Sequence, residues 1–224
     1  MEGLNVDQQD DDGCTPLMRL LGTSIPNRKL AEALPLRESL CLALLNRKAD
    51  PCVKDSKGWT ALHHLMATRG ELPEGRAYAK VEENIVNKLK ARKADLNASD
   101  KEGVTVLMVT IAADNGLETK LQLDRVRCLI KNGANVEKRD KAQRSALIYA
   151  ALGVRIVEQL VQGPTDTKQG YAQYGCADLL LDNGATLNKR AVVEGLAFPW
   201  IQEVMAPLLS RTVRPDRCFL CAFC

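Results

Sequence analysis

Aromatic residues are scarce in this chain of 224 residues, at 4% of the sequence. Few aromatics together with abundant Leu, Ala and Val favour helices packed on helices over a β-sandwich. Long apolar runs are missing too. The longest, residues 40–45 and the threonine-containing residues 104–113, are well short of the roughly 20 apolar residues that a bilayer-spanning helix needs. The sequence therefore predicts no transmembrane helix.

Strong charge of one sign is also absent. The formal net charge is +3, too small and too evenly spread to predict a nucleic-acid partner. The first residues are acidic and lack the apolar core of a signal peptide, so we expect a cytoplasmic protein. Eight cysteines in such a chain are expected to be reduced thiols and not a disulfide framework.

Catalytic motifs are lacking as well. The two histidines, His63 and His64, are adjacent. Neighbouring residues on a helix point about 100° apart, so the pair is not expected to converge on one metal ion. The sequence has no H-E-x-x-H, Gly-rich phosphate loop or Ser/His/Asp set. We therefore predict a protein that is not an enzyme and that has no cofactor and no metal site.

The chain does contain an internal repeat. A motif of the form Asp-x-x-Gly-x-Thr-x-Leu starts near residue 10 and recurs near residues 55 and 100, with a weaker copy near residue 140. A second mark follows each copy; it has the form Gly/Lys-Ala-Asp/Asn in the first three copies and Gly-Ala-Thr in the fourth. The segments between the marks carry apolar pairs at helical spacing, which are predicted to face the core of the second helices: Leu40 and Leu44, Ile85 and Leu89, Val126 and Leu129, and Cys176 and Leu180. The Thr or Ser of the four copies stands at Thr15, Thr60, Thr105 and Ser145.

These two marks together resemble the ankyrin repeat, over roughly residues 8–190. The resemblance implies an all-α ankyrin-repeat solenoid with short hairpin loops and a C-terminal capping helical unit. We place the solenoid in residues 1–210, followed by a tail with cysteines and arginines at residues 211–224. The predicted units are residues 10–54, 55–99, 100–139 and 140–190, with the cap at residues 191–210.

Local chemistry agrees with this division. Thr or Ser at each repeat start is expected to cap the first helix, and Pro16 suits the position after the cap. Lys48 and Lys93 stand where the family has Gly at the end of the second helix, and Gln143 replaces the Gly of the fourth turn. At such positions a left-handed backbone costs a side chain some stability.

The units are longer than the typical ankyrin repeat, with extra residues between the two helices of each unit. One interpretation is lengthened helices joined by solvated loops, and the other is a binding face built from insertions. On the second interpretation three tyrosines in these inserts, Tyr78, Tyr171 and Tyr174, contact the partner.

The resemblance also implies a concave surface made by hairpin tips and first helices. Variable positions on this surface predict one patch across units two to four, in a monomer that acts as a non-catalytic protein–protein interaction scaffold. The alternative for Trp59 is packing over the neighbouring hairpin. The predicted patch comprises Trp59, His64, Val104, Val109, Arg144 and Tyr149.

The tail carries a second hypothesis. Residues 221–224 have the form of a C-a-a-X box, in which Cys221 would be prenylated and Cys218 would offer a second lipid site. The protein would then be a membrane-tethered adaptor at a host or cellular membrane, similar to ankyrin effectors of intracellular bacteria. Zinc binding by the tail cysteines, or an apolar end that packs on the cap, are the alternatives. A regulatory fragment of a longer enzyme is a further interpretation.

Overall fold

The structure, a computed structural model, describes residues 5–24, 30–68, 76–112, 119–150 and 168–186. Short and long helices alternate along it, and residues 146–150 are also helical. No helix in this part of the chain combines the length and the apolar character needed to cross a membrane. The helices are α1 Pro16–Gly22, α2 Leu30–Asn46, α3 Ala61–Met66, α4 Arg76–Ala91, α5 Val106–Ala112, α6 Thr119–Lys131 and α7 Lys168–Asp182.

The first helices begin as the sequence predicts. The Thr15 hydroxyl accepts a hydrogen bond from the Met18 N–H at 3.3 Å, and Pro16 occupies the first turn of α1. Thr105 caps α5 in the same way through the Met108 N–H. Each cap satisfies a backbone donor that a helix start otherwise leaves without a partner.

The second helices end in the left-handed conformation that the repeat pattern predicts. Lys48 and Lys93 both have φ of 67°, and Gly133 and Gly184 have φ of 102° and 86° at the corresponding ends of α6 and α7. Gln143 takes φ of 63°, so the fourth turn keeps the conformation of the others without glycine. Each non-glycine residue in this region costs about 1–2 kcal/mol.

One continuous core joins the units, as expected for a solenoid. The short helix α1 packs on α3, and α3 packs on α5. The long helices stack likewise, from α2 through α4 and α6 to α7. The buried residues of the second helices include the pairs that helical spacing predicts in units two to four. These pairs are Ile85 and Leu89, Val126 and Leu129, and Cys176 and Leu180.

The prediction for α2 was wrong at Leu40. Spacing indicates Leu40 and Leu44 as its core pair, and Cys41 also has a core position, but only Cys41 and Leu45 are buried, while Leu44 is partly buried and Leu40 is 44% exposed. The segment is apolar at so many neighbouring positions that periodicity does not select one face. Contact with α1 and α4 then selects the buried face.

The segments between the helices of each unit supply the starts of the long helices. α2 and α4 begin inside the predicted inserts, which agrees with the interpretation of lengthened helices. Tyr78 lies on the first turns of α4, is 2% exposed and packs with Leu34 and Leu121. The prediction that Tyr78 contacts a partner is therefore corrected, because its ring is used to join neighbouring long helices.

Buried polar side chains of the long helices close the ends of the short ones. Arg125 on α6 donates to both carboxylate oxygens of Glu82 on α4, at 2.7 and 2.5 Å. A third nitrogen of Arg125 donates to the carbonyls of Met66, the last residue of α3, and of Thr68 just after it, at 3.2 and 3.3 Å. Such carbonyls lack a partner at a helix end unless a side chain supplies one.

Gln122 does the same for α5, with its amide donating to the Thr110 and Ile111 carbonyls.

Several predictions concern parts of the chain that lie outside the described residues. These parts are the side chains of Tyr171 and Tyr174, the predicted cap at residues 191–210, and the tail with Cys218 and Cys221.

Candidate functional site

Each unit begins with a tight hairpin that its aspartate organises. In unit two the Asp55 N–H donates to the Trp59 carbonyl, while Asp55 Oδ1 accepts from the Lys57 and Trp59 N–H groups, each at 2.8 Å. The Gly58 N–H returns to the Asp55 carbonyl with φ of 87° at Gly58. The recurring Asp builds this turn with Gly in units one to three and with Gln143 in unit four.

Backbone hydrogen bonds join each hairpin to the next. The Ser56 N–H donates to the Asp12 carbonyl at 3.0 Å, and the Lys101 N–H donates to the Lys57 carbonyl at 3.1 Å. The Lys141 N–H continues the ladder to the Glu102 carbonyl at 2.9 Å. The hairpins are therefore held at a fixed spacing. We call their tips, together with the first-helix residues that face them, the hairpin face.

The first helices carry a position at which the residue differs from unit to unit. In units one, two and four its side chain contacts the hairpin aspartate. His64 Nε2 lies 2.9 Å from Asp55 Oδ2, and the Tyr149 hydroxyl donates to Asp140 Oδ2 at 2.8 Å. In unit one Arg19 takes this role toward Asp10, at 2.7 Å. In unit three the position is Val109, which is 8% exposed and has no donor to offer.

Trp59 lies half-buried on the hairpin face of unit two. Its ring centroid is 6.0 Å from that of His63 in a stacked arrangement and 5.5 Å from that of His64 edge-on. The Lys57 ammonium lies 5.9 Å from the indole centroid. Trp59 thus packs over the adjacent first helix and still presents part of its ring outward.

Arg144 and Tyr149 form a second pair, in unit four. The guanidinium lies 4.9 Å from the tyrosine ring centroid, and Arg144 Nε is 2.7 Å from Asp140 Oδ2. Burial by itself raises the pKa of Asp140, but hydrogen bonds from the Arg144 N–H, the Tyr149 hydroxyl and the Arg144 side chain outweigh it and lower the pKa. The side chain of Arg144 remains 35% exposed.

His63 has a structural role between two units. Its Nδ1 accepts from the Thr60 N–H at 3.1 Å, so Nε2 carries the proton and donates to the Val104 carbonyl of the next hairpin at 3.4 Å. Burial lowers the pKa of His63 to about 4, which keeps the ring neutral near pH 7. His63 therefore joins units two and three.

Cys14, Asp55 and His64 meet where the first hairpin packs on unit two. Cys14 Sγ lies 3.9 Å from both Asp55 Oδ2 and His64 Nε2. A nucleophilic triad needs the thiol and the carboxylate on opposite nitrogens of the imidazole. Here both approach Nε2, and burial raises the pKa of the Cys14 thiol. The three groups are therefore not arranged for acyl transfer. Sequence reasoning did not predict that Cys14, Asp55 and His64 come together.

The predicted patch residues stand at two equivalent positions of successive units, one on the hairpin and one on the first helix. Val104 is half-buried at the hairpin position that corresponds to Trp59, and its carbonyl is held by His63. Val109 is only 8% exposed, so it offers little surface to a partner. Direct ring contacts occur within units two and four, at Trp59 with His64 and at Arg144 with Tyr149.

On another side of the repeats a small polar depression of about 230 Å³ lies beside the segments that follow the long helices. Its lining includes Lys54, Asp95, Asn97 and Lys138. Lys54 Nζ donates to the Ser99 carbonyl at 2.7 Å, so part of this lining already has internal partners.

Residues 76–170 match the family model of ankyrin repeats, in three copies. No curated protein matches the chain.

Proposed function

This chain carries ankyrin repeats, and on that premise we propose that it is a non-catalytic scaffold that binds a protein partner through its hairpin face. Ankyrin repeats generally mediate protein–protein interaction. The partner would be a folded protein or a peptide segment, bound by a monomeric and cytoplasmic scaffold. The fold itself does not specify which protein this is.

The alignment of half-exposed Trp59, Arg144 and Tyr149 on the hydrogen-bonded hairpin ladder is the observation that carries this proposal. Trp, Tyr and Arg are the residue types enriched at interface hot spots. Because the ladder fixes their spacing before a partner arrives, little conformational entropy is lost on binding.

The charges around the proposed surface indicate which kind of partner fits it. Lys57 lies beside Trp59, and Arg144 lies over Tyr149, so cationic groups flank both aromatic rings. The hairpin aspartates nearby are already engaged by backbone and side-chain donors. A partner with acidic and apolar side chains therefore fits this surface better than a basic one.

Trp59→Ala combined with Tyr149→Ala tests the proposed face. The tagged chain is used to capture partners from a cell lysate, and each captured protein is purified and titrated against the wild type and the double variant by calorimetry. We expect the double variant to lose binding while its far-UV circular dichroism is retained. Lys131→Ala, at an exposed position of α6 away from the hairpins, is the matched control and should bind normally.

Equal affinity of the double variant and the wild type would refute the hairpin face as the binding site. A double variant that no longer unfolds cooperatively would show that the rings serve packing. In that case Arg144→Ala, whose side chain is partly exposed, supplies the binding comparison.

The C-a-a-X-like end, Cys221 to Cys224, supports a second proposed function, a membrane-tethered adaptor or pathogen effector. Expression in eukaryotic cells followed by intact-mass measurement tests it. The proposal predicts a mass gain of one prenyl group that Cys221→Ser abolishes. An unmodified mass in the wild type would refute lipidation.

A further inference from the structure

Three side chains of different chemistry converge at the junction of units one and two. Cys14 comes from the first hairpin, Asp55 from the second hairpin and His64 from α3. Their sulfur, oxygen and nitrogen atoms all lie within 4.8 Å of one another. Thiolate, carboxylate and imidazole are the groups that bind zinc in proteins.

The separations between these atoms suit a tetrahedral ion. With Zn–S near 2.3 Å and Zn–N and Zn–O near 2.0–2.1 Å, the ideal separations are about 3.5 Å from sulfur to either other ligand and about 3.3 Å from nitrogen to oxygen. The structure has 3.9 Å for both sulfur separations and 2.9 Å from nitrogen to oxygen. Each therefore differs from the ideal by about 0.4 Å, which side-chain rotation can absorb.

We infer that Cys14, Asp55 and His64 form a binding site for one zinc-class divalent cation, with a water molecule as the fourth ligand. This inference does not depend on the proposal that the hairpin face binds a partner, although His64 belongs to both sites. The site joins the first unit to the second, so a bound cation would hold the N-terminal end of the stack in place.

Charge and burial agree with a divalent cation. A thiolate at Cys14 and the carboxylate of Asp55 together balance the two positive charges, so the loaded site is neutral, as a buried site requires. Cys14 is 4% exposed, whereas the His64 side chain is 18% exposed and leaves a path from solvent. Arg19, whose charge acts on Cys14, is itself paired with Asp10 and Asp12.

A second layer of hydrogen bonds orients the carboxylate. Asp55 Oδ1 accepts from the Lys57 and Trp59 N–H groups at 2.8 Å, which directs Oδ2 toward Cys14 and His64. Support of this kind fixes ligand geometry in metal sites.

The repeats themselves supply an internal comparison. At the next junction the equivalent positions hold Trp59, Asp100 and Val109, and the backbone bonds between hairpins are the same. The hairpin fold therefore requires neither the thiol of Cys14 nor the imidazole of His64. Within the described ranges this trio is the only set of three such ligands that comes together.

Cobalt(II) is the probe, because zinc is spectroscopically silent and cobalt occupies the same tetrahedral sites. The full chain is used with Cys218→Ser, Cys221→Ser and Cys224→Ser, so that the tail thiols do not contribute. We expect one equivalent of cobalt to produce tetrahedral visible bands and a thiolate-to-cobalt charge-transfer band. Added zinc should abolish both.

Variants assign the ligands. Cys14→Val and His64→Val introduce the residues that unit three carries at the same positions, Val104 and Val109, and so preserve the repeat pattern. Each substitution should weaken cobalt binding at least about tenfold. Zinc should raise the melting temperature of the parent, because it binds only the folded chain, and each substitution should remove this rise. Cys52→Ser removes an exposed thiol outside the trio and should leave both unchanged.

Absence of the charge-transfer band in the parent would overturn the inference, as would an unchanged spectrum in Cys14→Val. If Cys14→Val does not fold, Cys14→Ser is measured instead, because it keeps the size of the side chain. We expect Cys14→Ser to lose the charge-transfer band, and an unchanged band would overturn the inference. A negative result would leave the partner surface untouched, because that proposal is measured by protein binding in the absence of metal.

Discussion

Adding one methyl group at Gly58 tests the hairpin ladder on which the proposed face depends. Gly58 has φ of 87°, and a Cβ placed there would lie 2.8 Å from the Lys101 backbone nitrogen of the next hairpin. The same nitrogen donates to the Lys57 carbonyl at 3.1 Å. Gly58→Ala therefore has both a backbone cost and a steric cost.

Gly133→Ala isolates the backbone cost. Gly133 has φ of 102°, and among the described residues no heavy atom lies within 4 Å of an added Cβ. A left-handed alanine costs about 1–2 kcal/mol, offset by about 0.4–1 kcal/mol because alanine restricts the unfolded chain. Gly133→Ala should thus lower the free energy of unfolding by about 1 kcal/mol.

Gly58→Ala adds the loss of the hydrogen bond between hairpins, which contributes about 0.5–1.5 kcal/mol, and the strain of moving two backbones apart. We expect it to lower the free energy of unfolding by about 2–3 kcal/mol, at least 1 kcal/mol more than Gly133→Ala by that sum. The difference between the variants is the energy that couples neighbouring hairpins.

Equilibrium urea unfolding measures both values, followed by far-UV circular dichroism and by tryptophan fluorescence. Coincident transitions from the two probes establish that each free energy refers to one cooperative step. Equal destabilisation by the two substitutions would refute the reasoning, because it would mean that the hairpins are not in tight contact at Gly58.

Three further predictions concern stability. Leu107→Ala should lower the free energy of unfolding by about 2–5 kcal/mol, because Leu107 is buried in α5; a nearly neutral result in urea unfolding would discredit the repeat alignment. Glu82→Gln should lower the free energy of unfolding by about 3–5 kcal/mol, because it leaves the Arg125 guanidinium buried without its carboxylate. The double variant Glu82→Leu/Arg125→Met should lower it by less, and a larger loss in the double variant would contradict this reasoning. Lys93→Gly should raise the melting temperature slightly, because it relieves about 1–2 kcal/mol of left-handed strain and loses about 0.4–1 kcal/mol through the greater freedom of the unfolded chain. A lower melting temperature would show that the lysine side chain is itself stabilising.

Much of the repeat unit was predictable because its signals are local. The cap at Thr15, the turn at Gly58 and the left-handed ends at Lys48 and Lys93 each depend on a few consecutive residues. Their conformations follow from hydrogen bonding and sterics within one turn of chain. Four copies in phase then indicate how the units must stack.

The face of an almost uniformly apolar helix was not predictable. In α2, leucines occupy so many neighbouring positions that spacing allows more than one buried face. Packing against α1 and α4 buries Cys41 and leaves Leu40 exposed. Tyr78 is a similar case, since an aromatic residue in an insert suits either a binding surface or a small core, and its neighbours Leu34 and Leu121 come from other units.

The amino-acid sequence by itself determined the type of repeat, its hairpins, its helix caps and the columns of variable residues, because these depend on residue types at short spacing. Tertiary structure alone decided which distant polar groups meet. Arg125 reaches Glu82 across 43 positions, and Cys14 reaches His64 across 50. Such pairs depend on how one unit rotates against the next, and that rotation is set by the summed packing of the whole interface.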